Sequence, residues 1–180
     1  LSADIGHYVG DAHVPLHTTE NYNGQVTGQY GIHGFWESRL PELFYDDYDL
    51  FAPDIYFVES KRDFIWDIVE QSHYALDSVL TFEKNLSTEF PEDKKMSFEE
   101  RGTMIMEVYS KEFSTEYHDR LDGMVERRFR SAIHSLGCLW YTCWVEAGQP
   151  DLHPLIPNNL LPPFIEQRDS INSESHPKRK

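Results

Sequence analysis

The chain has 180 residues, of which 39% are hydrophobic, and a formal net charge of −15 at pH 7. This length and composition are typical of one globular domain with a substantial core. The negative charge argues against broad electrostatic attraction to nucleic acid or anionic membranes, so we expect no stable nucleic-acid complex. No run of 18 apolar residues predicts a transmembrane helix.

The first 37 residues contain five side chains of the types that bind metal ions. Residues 2–13 are predicted to form a helix that carries His7 and Asp11. Residues four apart lie on one face of a helix, so this imidazole and this carboxylate can approach a common ion. Pro15 is expected to end the helix and to let the chain bring His17 toward the next element.

A second pair of metal-ligand residues follows a predicted loop over residues 18–31, which is rich in Gly, Asn and Thr. Residues 32–43 are predicted to form a short helix that carries His33 and Glu37, again four residues apart. Pro41 is expected to bend or end this helix. One such pair arises by chance on ordinary helices, but two pairs with a further His between them indicate a metal site. Nitrogen and oxygen donors without Cys suit Zn²⁺ in a catalytic site.

The rest of the chain has the apolar periodicity of helices, and no strand pattern is evident, so the predicted fold class is all-α. Ser97-Phe98-Glu99-Glu100 matches a capping box, which predicts that a helix begins there. The predicted elements are a loop over residues 44–58, a long helix over 60–86, a helix from 97 to about 121, and a last long helix over 122–147.

Residues 1–150 are predicted to form one helical domain, and residues 151–180, rich in Pro, Asn and Ser, an extended or disordered tail. The segment 126–130, Glu-Arg-Arg-Phe-Arg, is a dense basic patch, for which we favour ion pairing over phosphate contact. Trp36 is expected to pack behind the metal site, with a place in the wall of a substrate cleft as the alternative. His13 should face away from His7, because six residues correspond to about 240° around a helix.

The segment His7-Tyr-Val-Gly-Asp11-Ala-His-Val-Pro15-Leu-His17, followed by His33-Gly-Phe-Trp-Glu37, resembles the zinc-dependent phospholipase C and single-strand-specific nuclease superfamily. Glu37, where either Asp or Glu occurs, is more similar to the phospholipase branch, and the loop Asn21-Tyr-Asn-Gly24 is more similar to the nuclease branch. The resemblance implies a multi-helix, secreted or periplasmic phosphodiesterase that uses a metal-activated water as nucleophile. The substrate implied is a phospholipid or a nucleic-acid phosphodiester.

The resemblance also implies a role for each ligand in a centre of up to three zinc ions. His17, His33 and Glu37 would form one complete zinc site. His7 and Asp11 would belong to a second site, in which Asp11 bridges toward a third zinc and is the candidate catalytic residue. The superfamily's other ligands lie upstream of this motif, and only six residues precede His7. We therefore expect the C-terminal part of a longer protein, incomplete at its N-terminus and inactive alone.

A different class of function remains open, namely a helical binding or structural module in which zinc only joins two helices. Structural zinc sites are usually closed by four protein ligands, whereas catalytic sites keep one position open. A fourth protein ligand would favour the structural module, and an open position would favour the enzyme.

Overall fold

The computed structural model describes residues 2–155, which are mostly helical. None of the described helices is long and apolar enough to cross a membrane. The helices are α1 (Ser2–Ala12), α2 (Ile32–Gly34), α3 (Leu40–Phe44), α4 (Lys61–Glu89), α5 (Lys111–Arg120) and α6 (Met124–Glu146). A π-helical turn (Phe35–Arg39) joins α2 to α3, and the strands are β1 (Met96–Arg101) and β2 (Met104–Tyr109). Short 3₁₀ turns occupy Pro15–Thr18, Tyr45–Asp47, Glu92–Lys94 and His153–Leu155.

The chain divides into two compact units, Leu1–Cys143 and Trp144–Lys180. In the second unit, the indole Nε1 of Trp144 donates to the carbonyl oxygen of Pro150 at 2.9 Å. The predicted domain boundary at residue 150 stays a prediction. The tail predicted for 151–180 lies outside the described residues from position 156 onward.

The core of the first unit surrounds the helical segment 32–44, which carries the second pair of ligand residues. Phe35 stacks on Tyr109 with ring centroids 3.9 Å apart and on Tyr117 with centroids 4.9 Å apart. The buried hydroxyl of Tyr117 donates to the carbonyl oxygen of Val79 at 2.8 Å. Because aromatic rings from β2 and α5 surround Phe35, the segment that follows it packs against these two elements.

The long helices follow the predicted apolar periodicity. Helix α4 is capped by Ser60, whose hydroxyl accepts from the Asp63 N–H at 3.3 Å, and it continues to Glu89, three residues beyond the predicted end. Its buried stripe includes Ile68, Leu76, Val79 and Leu86. Helix α6 lies within the predicted 122–147.

The helix predicted from residue 97 to about 121 is wrong in its first half, where an antiparallel hairpin lies, and right in its second half, which is α5. Arg101 lies opposite Met104, so Gly102 and Thr103 form a two-residue loop. Gly102 has φ +64°, which a residue with a Cβ rarely adopts, and glycine at the first loop position is typical of such hairpins. Helix α5 begins only after Ser110, whose hydroxyl accepts from the Phe113 N–H at 3.2 Å.

A buried arginine from the π-helical turn explains why the hairpin is preferred. Arg39 is 5% exposed, forms an ion pair with Glu99 on β1 and donates from Nε to the Tyr109 carbonyl oxygen at 3.0 Å. Glu99, which the capping-box reading placed in the first turn of a helix, therefore satisfies a distant charge instead. The all-α prediction holds at the level of a mostly helical chain with one two-stranded sheet.

Candidate metal centre

The five predicted ligand residues lie on three neighbouring elements. His7 and Asp11 are on α1, His17 is on the 3₁₀ turn Pro15–Thr18, and His33 and Glu37 are on the segment 32–44. The Gly/Asn-rich loop connects the 3₁₀ turn Pro15–Thr18 to the segment 32–44. At Gly24 in that loop φ is +75°, and a Cβ would overlap the carbonyl of Gln29, so the turn requires glycine there.

Three of the five side chains point their donor atoms at one another. The Nε2 atoms of His17 and His33 are 2.9 Å apart, and Oε2 of Glu37 lies 2.6 Å from His33 Nε2 and 3.5 Å from His17 Nε2. Tetrahedral ligand atoms at zinc bond lengths lie about 3.3 Å apart. The three atoms therefore have nearly the spacing of three corners of a zinc coordination shell, and we call His17, His33 and Glu37 the metal cluster.

The tautomer of His17 follows from its backbone contact. Its Nδ1 lies 3.1 Å from the carbonyl oxygen of Asp11, which can only accept, so Nδ1 carries the proton. The Nε2 lone pair of His17 is then directed at His33 and Glu37. A backbone carbonyl that orients a histidine in this way is a common support of metal ligands.

The helical segment 32–44 departs from α geometry at Glu37. The N–H of Leu40 bonds to the Phe35 carbonyl, five residues back, so the turn is wider than an α-helical turn. Pro41 explains this widening, because proline has no N–H to donate and its ring crowds the carbonyl four residues earlier, that of Glu37. Pro41 therefore does not end the segment, which continues as α3 to Phe44.

The other predicted ligand pair lies beside the cluster. Asp11 Oδ2 is 3.4 Å from His7 Nε2, and Asp11 Oδ1 is 3.7 Å from His17 Nδ1. The His7 side chain is 73% exposed, against 25% for His17. The structure thus groups the same three residues that the resemblance groups, and it keeps His7 and Asp11 outside the metal cluster.

His13 points into the protein interior. It is 3% exposed, its Nδ1 lies 2.7 Å from the Val9 carbonyl oxygen, and its Nε2 lies 3.3 Å from the Ser135 hydroxyl. Burial lowers the pKa of His13 to about 4, against a raising effect of the Val9 hydrogen bond, and the nearby charge of Arg128 lowers it further. His13 is therefore a neutral core residue at pH 7.

A cavity of about 250 Å³ lies next to the metal cluster. We call it the α1–α6 cavity, after the two helices that supply most of its lining. His7, Asp11 and Glu37 line it together with Trp36 and Arg128. The cavity and the open side of the cluster give a ligand access to the site.

Sequence reasoning did not assign Arg128 to the site, although the basic patch on residues 126–130 was the available signal. The favoured ion pairing holds for Arg130, which pairs with Glu126. It does not hold for Arg128, for which no carboxylate lies within ion-pair distance among residues 2–155. Trp36 is 2% exposed and packs in the hydrophobic core, as the favoured interpretation expected, and it also lines the cavity.

Comparison with known proteins returned no family model, no curated protein and no solved structure that matches this chain.

Proposed function

We propose that the metal cluster is a zinc site and that the chain belongs to a zinc-dependent phosphodiester hydrolase of the phospholipase C and nuclease superfamily. The observation that carries the proposal is the convergence of two imidazole nitrogens and one carboxylate oxygen within 3.5 Å of one another. Zinc accepts this set of donors readily.

The protons available to the cluster support a bound cation. In the neutral tautomer of His17 with its proton on Nδ1, Nε2 offers only a lone pair, and a carboxylate at Glu37 only accepts. His33 has at most one Nε2 proton to share between these two acceptors. Three electron-rich atoms with a single proton repel one another, and a divalent cation between them removes that repulsion.

Each residue has a distinct role in this proposal. His17, His33 and Glu37 hold the ion, and the Asp11 carbonyl orients His17. The carboxylate of Asp11 lines the cavity and is the candidate catalytic residue. When bound, zinc lowers the pKa of a coordinated water and offsets charge on phosphoryl oxygens.

The alternative of a zinc that only joins helices needs a further protein ligand. Among residues 2–155, the group of candidate ligands close enough to hold one ion contains three members. The Glu37 side chain is 38% exposed, so the cluster faces solvent on one side. Three ligands with an open side favour a catalytic site over a structural one.

The first test is coordination. Zinc-edge anomalous scattering from crystals of the zinc-loaded chain should place one ion between His17, His33 and Glu37. Cobalt substituted for zinc should give an absorption spectrum that changes when a small anion is added, because an open position accepts it. A spectrum that ignores added anions would favour the structural module.

The second test is catalysis. The complete gene product, loaded with zinc, should hydrolyse at least one of three substrates, namely phosphatidylcholine, single-stranded DNA and a small phosphodiester. Chelation should abolish the activity, and zinc should restore it. A zinc-loaded protein that cleaves none of the three would overturn the enzymatic proposal even if the metal site is occupied.

A further inference from the structure

We propose that the α1–α6 cavity is a subsite for an anionic phosphoryl group, which Arg128 binds beside the metal cluster. This inference deepens the proposed function and rests on it for the identity of the ligand. The ligand class is a phosphate monoester or diester with a small substituent. Neither the motif nor the resemblance assigns a role to Arg128.

The hydrogen-bond partners of Arg128 are unusual for an arginine. Its Nε donates to the His13 carbonyl oxygen at 2.9 Å, and its Nη2 contacts the Ser72 hydroxyl and, at 3.4 Å, the Ile68 carbonyl oxygen. These acceptors are all neutral. They fix the direction of the guanidinium, but they do not neutralise its charge.

The other buried or half-buried arginines of the described chain have carboxylate partners. Arg39, Arg120 and Arg130 each form an ion pair with at least one Glu. For Arg128, burial lowers the pKa, and no carboxylate offsets that effect. A partly buried charge without a counter-ion is unfavourable, and an anion in the cavity would supply the missing one.

The charges around the cavity depend on whether the metal cluster holds a cation. Asp11 and Glu37 line the same space as Arg128, and both repel an anion while no cation is bound. A divalent ion at the cluster more than offsets the carboxylate of Glu37. Phosphate should therefore bind much more tightly to the zinc-loaded protein than to the zinc-free protein.

The volume of the cavity and the donors in its lining restrict the ligands that it can hold. A volume of about 250 Å³ is below the range of about 300–1,000 Å³ usual for sites that hold drug-sized ligands. It suits a phosphoryl group with a small substituent rather than a whole lipid or several nucleotides. The indole Nε1 of Trp36, which also lines the cavity, is buried and has no acceptor among the described residues. This nitrogen is buried rather than exposed to the cavity, so the guanidinium of Arg128 supplies the hydrogen bonding to the ligand.

The test measures binding of dimethyl phosphate to the zinc-loaded chain by calorimetry. Arg128→Gln should weaken binding at least 10-fold, and Arg128→Lys should weaken it less, because lysine keeps the charge but not the planar donors. Arg127→Gln is the matched control, because Arg127 is the next residue on α6, is exposed and donates to the Asp122 carbonyl. It should change binding less than twofold. Phosphocholine and thymidine monophosphate, titrated in parallel, distinguish a lipid headgroup from a nucleotide as the source of the phosphate.

A second variant covers the case in which Arg128→Gln fails to fold. Ala132→Leu fills the cavity from α6 without removing any hydrogen bond of Arg128, and it should also abolish dimethyl phosphate binding. Circular dichroism and zinc affinity, measured in the same samples, should stay close to the values of the unaltered chain. Binding of dimethyl phosphate that is unchanged in folded Arg128→Gln or in Ala132→Leu would overturn the inference.

A metal-free experiment separates this inference from the proposed function. In Asp11→Asn/Glu37→Gln without zinc, the two carboxylates that repel an anion are absent, so dimethyl phosphate should bind and the added Arg128→Gln change should remove that binding. If the unaltered chain binds no zinc, the proposed function fails, and this experiment alone decides the inference. In that case, absence of Arg128-dependent binding of dimethyl phosphate to the double variant refutes the subsite.

Discussion

The two His–carboxylate pairs of this protein have the same spacing and different surroundings. His33 Nε2 lies 2.6 Å from the carboxylate of Glu37, whereas His7 Nε2 lies 3.4 Å from that of Asp11. In the first pair, His33 lies on α2 and Glu37 on the π-helical turn that follows it, and His17 approaches as a third ligand. The second sits on a regular α-helix with its imidazole in solvent. Equal spacing therefore does not imply equal ability to bind an ion.

The largest expected effect is the difference in zinc affinity between variants of the two pairs. Glu37→Gln should weaken zinc binding 100- to 1,000-fold, roughly 3–4 kcal/mol, because it removes one of three ligands. His7→Ala, the matched change in the other pair, should weaken it less than threefold. Competition with a chromogenic chelator measures both affinities. Equal losses in the two variants would show that the pairs act as one site.

The next effect concerns His13, the histidine near His7 that points into the core. Its folded pKa of about 4 is below the unfolded value, so the unfolded chain binds the extra proton as pH falls. Its stabilising contribution is therefore complete above about pH 6.5 and is lost between about 6.5 and 4, for up to about 3 kcal/mol.

Urea unfolding of the unaltered chain and of His13→Gln, measured across this pH range, tests that expectation. The pH-dependent loss should be smaller in His13→Gln, because glutamine has no proton to gain. His73→Gln, the same change at an exposed histidine, is the matched control. Parallel curves for the unaltered chain and His13→Gln would contradict the assignment of His13 as a neutral core residue.

A smaller effect on zinc affinity is expected from changing the π-helical turn that carries Glu37. Pro41→Ala restores an N–H to the helix and should let the turn relax toward α geometry. Glu37 would then move relative to His17, and we expect zinc affinity to fall roughly 10-fold. Pro91→Ala, at the far end of α4, should leave zinc affinity unchanged. An unaltered affinity in Pro41→Ala would show that the wide turn is incidental to the cluster.

The smallest effect concerns Asp11, which contacts the cluster through its backbone. Asp11→Asn keeps the carbonyl that accepts from His17 Nδ1, so zinc affinity at the cluster should change by about threefold or less. A loss as large as that of Glu37→Gln would show that the Asp11 carboxylate is itself a ligand. The same chelator competition provides the measurement.

Local patterns predicted the elements that local interactions determine. The apolar stripes of α4 and α6 could be predicted because apolar residues recur there at the period of a helix. The pairs His7–Asp11 and His33–Glu37 could be predicted because four residues correspond to about one helical turn. The hairpin was not readable, because its decisive partner, Arg39, is about 60 residues from Glu99 in sequence. Arg128 was missed for a similar reason, since the basic residues around it suggested ion pairs that only Arg130 forms among the described residues.

The sequence by itself determined the kinds of donor atom, their spacing along each element and the mostly helical character of the chain. The tertiary structure decided that the ring of His17 meets His33 and Glu37 while its other nitrogen faces Asp11. It also decided that Arg128 faces a cavity without a carboxylate partner among residues 2–155. The physical reason is that helical periodicity determines which face a side chain occupies, whereas distances between separate elements depend on how their buried faces pack.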